Sequence, residues 1–117
     1  MKRLLSLFFT FLFFLNAYSI NLDSLWGVWK DTTQEFSTRS NAITDIITKG
    51  YLYSQPDSAL IFANMFYDYS NKKGDSLQLG RSLNLIGLIY NMKGENLKSI
   101  EYLIKSLNIF ESIAFID

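Results

Sequence analysis

The sequence predicts an all-α fold built from pairs of antiparallel helices. Apolar residues recur at intervals of three and four along most of the chain, glycine and proline separate these segments, and no stretch alternates as a strand would. The connections between segments are only a few residues long, which makes consecutive helices antiparallel neighbours.

Residues 1–19 have the three parts of a secretory signal peptide. Met1-Lys2-Arg3 is a short basic head, an apolar run extends from Leu4 to Leu15, and Ala17 and Ser19 are small residues where a signal peptidase reads. This run is shorter than the about 20 apolar residues of a membrane-spanning helix, so cleavage after Ser19 is favoured over retention as an anchor. The absence of cysteine argues against lipid attachment. We expect export to a periplasmic or other extracytoplasmic space.

The composition disfavours several classes of function. Residues 20–117 keep nine basic and eleven acidic residues, a net charge of −2, which provides no basic surface for nucleic acid. The chain has no histidine and no cysteine, which removes the usual metal ligands, thiol nucleophiles and neutral-pH proton carriers. The glycines form no phosphate-binding loop. We therefore expect no catalytic residue, no metal site and no cofactor in these residues.

Two short helices, each with one apolar face, are expected after the signal peptide, which we also call the leader. Residues 20–37 are expected to hold a short N-terminal helix and a linker, and the polar stretch Asp31 to Thr38 is the connection. The second helix is expected to end near Tyr53. The apolar positions with helical spacing are Leu22, Leu25, Trp26 and Trp29 in the first, and Ile43, Ile46, Ile47 and Tyr51 in the second.

Two longer helices have clear boundary signals. In Ser54-Gln55-Pro56-Asp57, the serine is the expected N-cap, proline fits the first turn, and the helix should run to Lys73 before Gly74. Asp75 is the expected N-cap of the next helix, with Gln78 three residues later, and Gly94 should end that helix after Lys93.

The last helix, from Glu95 or Asn96 to about Ser112, has the most regular apolar face. Glu101 and Lys105 form a favourable i, i+4 pair worth a few tenths of a kcal/mol. Residues 114–117 continue an apolar end where a polar turn is expected, so we interpret them as a truncated end. The apolar side consists of Leu97, Ile100, Leu103, Ile104 and Leu107, and the polar side of Lys98, Glu101, Lys105 and Asn108.

The helix pairs are related by a shift of 40 residues. This shift places Ala59-Leu60-Ile61-Phe62 over Ser99-Ile100-Glu101-Tyr102, and Ile43 and Ile46 over Leu83 and Ile86. Residues 83–103 then follow the order Leu83-x2-Ile86-Gly87-x2-Tyr90, Gly94, Ser99-x3-Leu103.

That order resembles the tetratricopeptide repeat, W-x2-L-G-x2-Y followed by A-x3-F. The resemblance implies a degenerate repeat over 38–74, a second repeat over 75–113, and a short right-handed α-solenoid. Glu111 stands where the family has a proline. The shift of 40 residues is longer than the usual period of about 34, which puts extra residues near Asn71 to Leu79, in a loop or a lengthened helix. An unrelated bundle of helical hairpins is the alternative. The implied packing residues are Ala59, Leu83, Ile86, Gly87, Tyr90, Gly94, Ser99 and Leu103.

The same resemblance implies a concave groove, lined by the first helix of each pair, that binds a protein or an extended peptide. Asn84 and Asn91 would bond a peptide backbone and Arg81 a carboxylate; the alternative is a solvated polar face without a ligand. The groove residues implied are Asn41, Thr44, Thr48, Tyr51, Arg81, Asn84, Leu88 and Asn91.

Two short segments, LDSLW at 22–26 and QPDSA at 55–59, are similar to the start of exported signalling proteins. In that group repeats precede a transmembrane helix and a cytoplasmic nucleotide cyclase, histidine kinase or DNA-binding domain. We therefore expect a noncatalytic protein or peptide interaction module, or alternatively the extracytoplasmic sensor part of a longer signalling enzyme. Further repeats or self-association through the apolar C-terminal end are additional expected partners. A membrane is expected only through the leader or a missing C-terminal part.

Overall fold

The computed structural model describes Arg3 and residues 20–114, so the predicted leader, apart from Arg3, and residues 115–117 lie outside the described part. The described residues are helical and contain no strand, which confirms the all-α class. Among them no helix has the length and hydropathy needed to cross a membrane. The elements are α1 (Leu22–Lys30), α2 (Phe36–Asp45), a π-helical segment (Ile46–Tyr51), α3 (Pro56–Lys73), α4 (Ser76–Met92) and α5 (Asn96–Ala114).

Local capping chemistry sets most of the helix boundaries. The carboxylate of Asp75 accepts the backbone N–H of Gln78 at 3.1 Å, as its N-cap position predicts. Gly74 and Gly94 end α3 and α4 with φ of 65° and 78°, in the left-handed region that favours glycine. The prediction of Ser54 as the N-cap of α3 is wrong, because Gln55 occupies that position and the helix starts at Pro56.

The start of α2 also differs from the sequence prediction. Phe36 begins the helix inside the stretch expected to be a connection, and Arg39 and Ser40 in its first turns are buried. Phe36 packs near Trp29 and Phe66, with ring centroids 6.5 Å away in each case. These contacts with α1 and α3 explain why a helix begins within a stretch whose own sequence is polar.

The π-helical segment changes the face that its residues present. The N–H of Leu52 donates to the carbonyl of Ile47 at 2.8 Å, a bond that spans five residues instead of four. A wider turn rotates the side chains that follow it relative to a continuous α-helix. Tyr51 is consequently directed towards α1 and α3, where its ring stacks on Phe62 at a centroid distance of 5.2 Å.

The core lies between α1, α2, α3 and α4. It combines aliphatic residues of α2, its π-helical continuation and α4 with aromatic and small residues of α1 and α3. The buried members are Trp29, Ile43, Ile47, Leu52, Ala59, Ala63, Phe66, Leu85, Ile86 and Ile89.

Helices α4 and α5 form a close antiparallel pair through small residues. A β-carbon added to Gly80 would lie 2.8 Å from the ring of Phe110, and Ser106 Oγ donates to the Gly80 carbonyl at 2.7 Å. The connection between α3 and α4 consists of two residues, Gly74 and Asp75, so the chain has no long loop between Asn71 and Leu79.

Candidate functional site

The predicted groove lies along α2 and α4, and one hydrogen bond joins the groove residues of these two helices. Arg81 Nη2 donates to Asn41 Oδ1 at 3.1 Å, across the 40 residues that separate them, and Arg81 Nη1 donates to Gln78 Oε1 at 3.0 Å. Both acceptors are neutral amides. Neither acceptor therefore compensates the charge of the guanidinium, and Arg81 is partly exposed.

The two threonines assigned to this groove do not offer their hydroxyls to it. Thr48 Oγ1 donates to the Thr44 carbonyl at 2.8 Å within the same helix. Thr44 Oγ1 is buried and has no partner within the described residues. Neither hydroxyl is placed to bond an external peptide.

The remaining groove residues divide into two groups. Asn84 is partly exposed, Asn91 is exposed and Leu88 is 38% exposed, so these α4 positions remain open to solvent. Tyr51 does not share their surface, because the π-helical turn directs it against Phe62. The structure therefore brings Asn41 and Arg81 together, leaves the later α4 positions open, and separates Tyr51 from them.

The residues assigned to helix packing lie mainly between helices. Ala59, Leu83, Ile86, Gly87 and Ser99 are buried. Tyr90 of α4 stacks on Tyr102 of α5 with centroids 5.5 Å apart, an interaction that joins the helix pair. Leu103 is half-buried against Gly87, and Gly94 is exposed at the turn.

A second surface emerges on α5, because four of the five residues on its predicted apolar side are exposed and only Leu103 packs against α4. Buried Ser99 and Ser106 face α4, whereas most of the large aliphatic residues face solvent. We call these aliphatic residues the outer stripe. Its members and their exposed fractions are Leu97 (85%), Ile100 (53%), Ile104 (51%) and Leu107 (53%). The spacing of these residues, at intervals of three, four and three, was visible in the sequence. The sequence did not indicate that their side chains face solvent.

A third feature, which the sequence interpretation missed, is the cluster around Arg39. The Nε–H of Arg39 donates to the Trp29 carbonyl at 2.7 Å, and Nη1 donates to the Tyr69 hydroxyl at 2.5 Å. The guanidinium carbon lies 4.4 Å from the Tyr69 ring centroid and 5.2 Å from that of Trp29, both within cation–π range. The bond from Arg39 is the main reason that the pKa of Tyr69 is lowered. The only signal in the sequence was an arginine three residues after Phe36.

Acid–base and metal chemistry have little basis in these residues. The described part of the chain contains no group of three acidic, histidine or cysteine side chains that could hold a metal ion. The pKa values of Lys93 and Lys105 are raised, chiefly by hydrogen bonds to Asp57 and Glu101, but both ion pairs lie on the surface.

Comparisons with protein-family models, with curated proteins and with solved structures found no match.

Proposed function

We propose that this chain is a noncatalytic interaction module that binds a helix along the outer stripe of α5. The observation that carries the proposal is the exposure of four large aliphatic side chains, each more than half accessible, along one line of a helix that packs on α4 through the buried Ser99 and Ser106. Contiguous exposed apolar surface of this kind is typical of protein interaction sites.

The spacing of the outer stripe supports a helix as the partner. Intervals of three, four and three residues are those of the a and d positions of a heptad, the narrow seam through which two helices pair. The border is polar: Glu101 and Lys105 form an ion pair at 3.1 Å beside the stripe. An apolar centre with a polar rim is the usual anatomy of a protein interface.

The helix pairs offer an internal precedent for this mode of binding. A shift of 40 residues places Ile104 and Leu107 of α5 on Asn64 and Tyr67 of α3. Helix α4 packs against α3, and Asn64 and Tyr67 lie with Leu83 around a cleft that Tyr102 and Lys105 of α5 also line, so α4 covers this side of α3 in part. We propose that a partner helix covers α5 as α4 covers α3, which is the stacking of a tetratricopeptide-like solenoid with units over 38–74 and 75–113.

The test uses residues 75–93, which contain α4, as a labelled helix attached to a soluble carrier, with a scrambled version as the negative probe. Fluorescence polarisation should detect saturable binding of the first probe to the purified chain. The variant Ile104→Lys should weaken that binding at least about tenfold, a loss of about 1.4 kcal/mol. Ile61→Lys is the matched control, because Ile61 is an isoleucine 63% exposed on α3, outside the stripe.

Equal binding of the native and scrambled probes, or unchanged binding by Ile104→Lys, would count against helix recognition. Sedimentation equilibrium identifies the source of the helix. A concentration-dependent dimer that Ile104→Lys abolishes would make a second copy of this chain the partner.

A second candidate function is the extracytoplasmic sensor part of a longer signalling protein, exported by the leader over residues 1–19. One observation favours it: Trp26 of the LDSLW segment contacts Phe62 edge to face with centroids 5.7 Å apart, so the first segment packs on the helix that begins within the QPDSA segment. The coding sequence after Asp117 tests it. An apolar stretch of about 20 residues followed by a cyclase or kinase domain would support a sensor. A stop codon there would count against it.

A further inference from the structure

Arg39 is a buried cation that forms no ion pair with a carboxylate of the described residues. The side chain belongs to a residue only 5% exposed, and the ion pairs among these residues involve Lys49, Lys93 and Lys105 instead. Buried charges in proteins are normally paired, because removing a charge from water is costly. The cation–π contacts and two hydrogen bonds offset this cost only in part.

Asp31, an acidic residue on which the charge of Arg39 acts, is already engaged elsewhere. Asp31 Oδ1 accepts the backbone N–H of Thr33 at 3.0 Å and the Thr33 hydroxyl at 2.6 Å. These bonds are the chief reason that the pKa of Asp31 is lowered, and the charge of Arg39 contributes least. Asp31 therefore supplies a distant field and not a direct partner.

One nitrogen of Arg39 remains available. Nε and Nη1 are committed to Trp29 and Tyr69, whereas Nη2 donates no hydrogen bond within residues 20–114. Among these residues Thr44 Oγ1 is the one fully buried side-chain polar atom without a partner, which means that Nη2 is not completely buried. Arg39 accordingly presents a donor to the space outside the core.

That space is an open cleft of about 570 Å³, which we call the arginine cleft. Arg39, Lys30 and Lys72 outnumber Asp68, so the cleft is net positive. Trp26 and Met65 supply apolar surface beside these charges, and Lys30 Nζ lies 5.4 Å from the Trp26 ring centroid. The residues around it are Trp26, Trp29, Lys30, Arg39, Met65, Asp68, Tyr69 and Lys72.

We propose that the arginine cleft binds the C-terminal carboxylate of a peptide whose last residue is apolar. The carboxylate accepts a hydrogen bond from Arg39 Nη2, as charge-assisted guanidinium–carboxylate pairs do. The apolar side chain lies on Met65 and Trp26, and Lys30 and Lys72 attract the anion. The site is at the opposite end of the helix order from the outer stripe, so it is independent of the helix-binding function proposed there.

The test takes advantage of the two tryptophans of the chain, Trp26 and Trp29, both of which line the cleft. Tryptophan fluorescence is recorded while the peptide acetyl-Gly-Ser-Gly-Phe is added, with either a free or an amidated C-terminus. The free acid should produce a saturable change at least about tenfold tighter than the amide, in line with a direct charged hydrogen bond.

Two substitutions assign the binding to the cleft. Lys72→Gln should weaken binding of the acid about two- to fivefold at low salt and less at high salt, because a rim charge acts through a screened field. Lys49→Gln is the matched control, since Lys49 is an exposed lysine paired with Asp45 outside the cleft. Arg39→Lys should reduce the preference for the acid several-fold, because it removes the guanidinium nitrogen that bonds the carboxylate. If that variant does not fold, the lysine pair still decides the result.

Three results would overturn the proposal: equal affinity for acid and amide, equal effects of Lys72→Gln and Lys49→Gln, or full competition by inorganic phosphate at the peptide's own concentration. The last result would identify a general anion site without recognition of the peptide end.

Discussion

Gly87 of α4 lies directly against Leu103 of α5: a β-carbon at Gly87 would stand 2.8 Å from both Cγ and Cδ2 of Leu103 and 3.2 Å from the carbonyl oxygen of Ser99. Real β-carbons do not approach other atoms this closely, so the two helices need a residue without a side chain here. A glycine that weakens an isolated helix therefore allows a pair of helices to pack.

The first prediction compares the same change at two helical glycines. Gly87→Ala should lower the free energy of unfolding by about 1–3 kcal/mol, because the added methyl group overpacks the contact with Leu103 and Ser99. Gly27→Ala should instead raise it by up to about 1 kcal/mol, since nothing lies within 4 Å of that position and alanine favours a helix. Urea unfolding measures both. Equal stabilisation by the two changes would contradict the contact at Gly87.

The second prediction ranks a packing glycine against a turn glycine. Gly87→Leu forces α4 and α5 apart, whereas Gly94→Ala strains one residue at φ 78° at a cost of about 1–2 kcal/mol. Thermal melts should therefore show the larger loss for Gly87→Leu. A neutral or stabilising effect of Gly87→Leu would also contradict the proposed repeat.

The third prediction concerns the hydrogen bond between α5 and α4. Ser106→Ala removes the donor to the Gly80 carbonyl in a buried setting and should cost about 0.5–1.5 kcal/mol. Ser112→Ala is the control, because that hydroxyl bonds a carbonyl of its own helix and is exposed. Chemical denaturation of the two variants gives the comparison. Similar small losses for both would mean that the bond between the helices contributes little.

The fourth prediction uses adjacent residues of α5 to test which side of the helix packs. Ile104→Lys should change the free energy of unfolding by no more than about 0.5 kcal/mol, as expected for an exposed position. Leu103→Lys should cost more than about 2 kcal/mol, because it places a charge against Gly87. The opposite ranking would mean that α5 is rotated and that the outer stripe faces inward.

The fifth prediction concerns the ionisation of Tyr69. The bond from Arg39 lowers its pKa, so one of the seven tyrosines should ionise ahead of the ordinary value near 10 in an ultraviolet absorbance titration. Tyr69→Phe should remove that early step. Between the lowered pKa and about 10 the unfolded chain holds more protons at this group, so its contribution to stability grows as the pH rises through that window. Joint titration of all tyrosines in the folded chain would contradict the Arg39 contact.

Sequence reasoning succeeded where short-range chemistry decides. Proline at the start of α3, the Asp75 cap and the glycines at 74 and 94 act within a turn of the chain, and the structure has helix boundaries at or next to each. It failed at Phe36, where contacts with Trp29 and Phe66 extend α2 into a polar stretch. The assignment of Tyr51 to the groove also failed, because no local sequence signal predicted the π-helical turn.

The sequence by itself determined that the described chain is helical, where most of its helices begin and end, and which residues of α5 form an apolar line. Only the tertiary structure decided that α5 packs through Ser99, Leu103 and Ser106 and turns the rest of that line outward. It also decided that Arg39 lies buried beside Trp29 without a carboxylate partner among the described residues. The physical reason is that caps and turn glycines act over a few residues. The packed side of a helix depends instead on how closely two distant segments can approach, which Gly80 and Gly87 allow here.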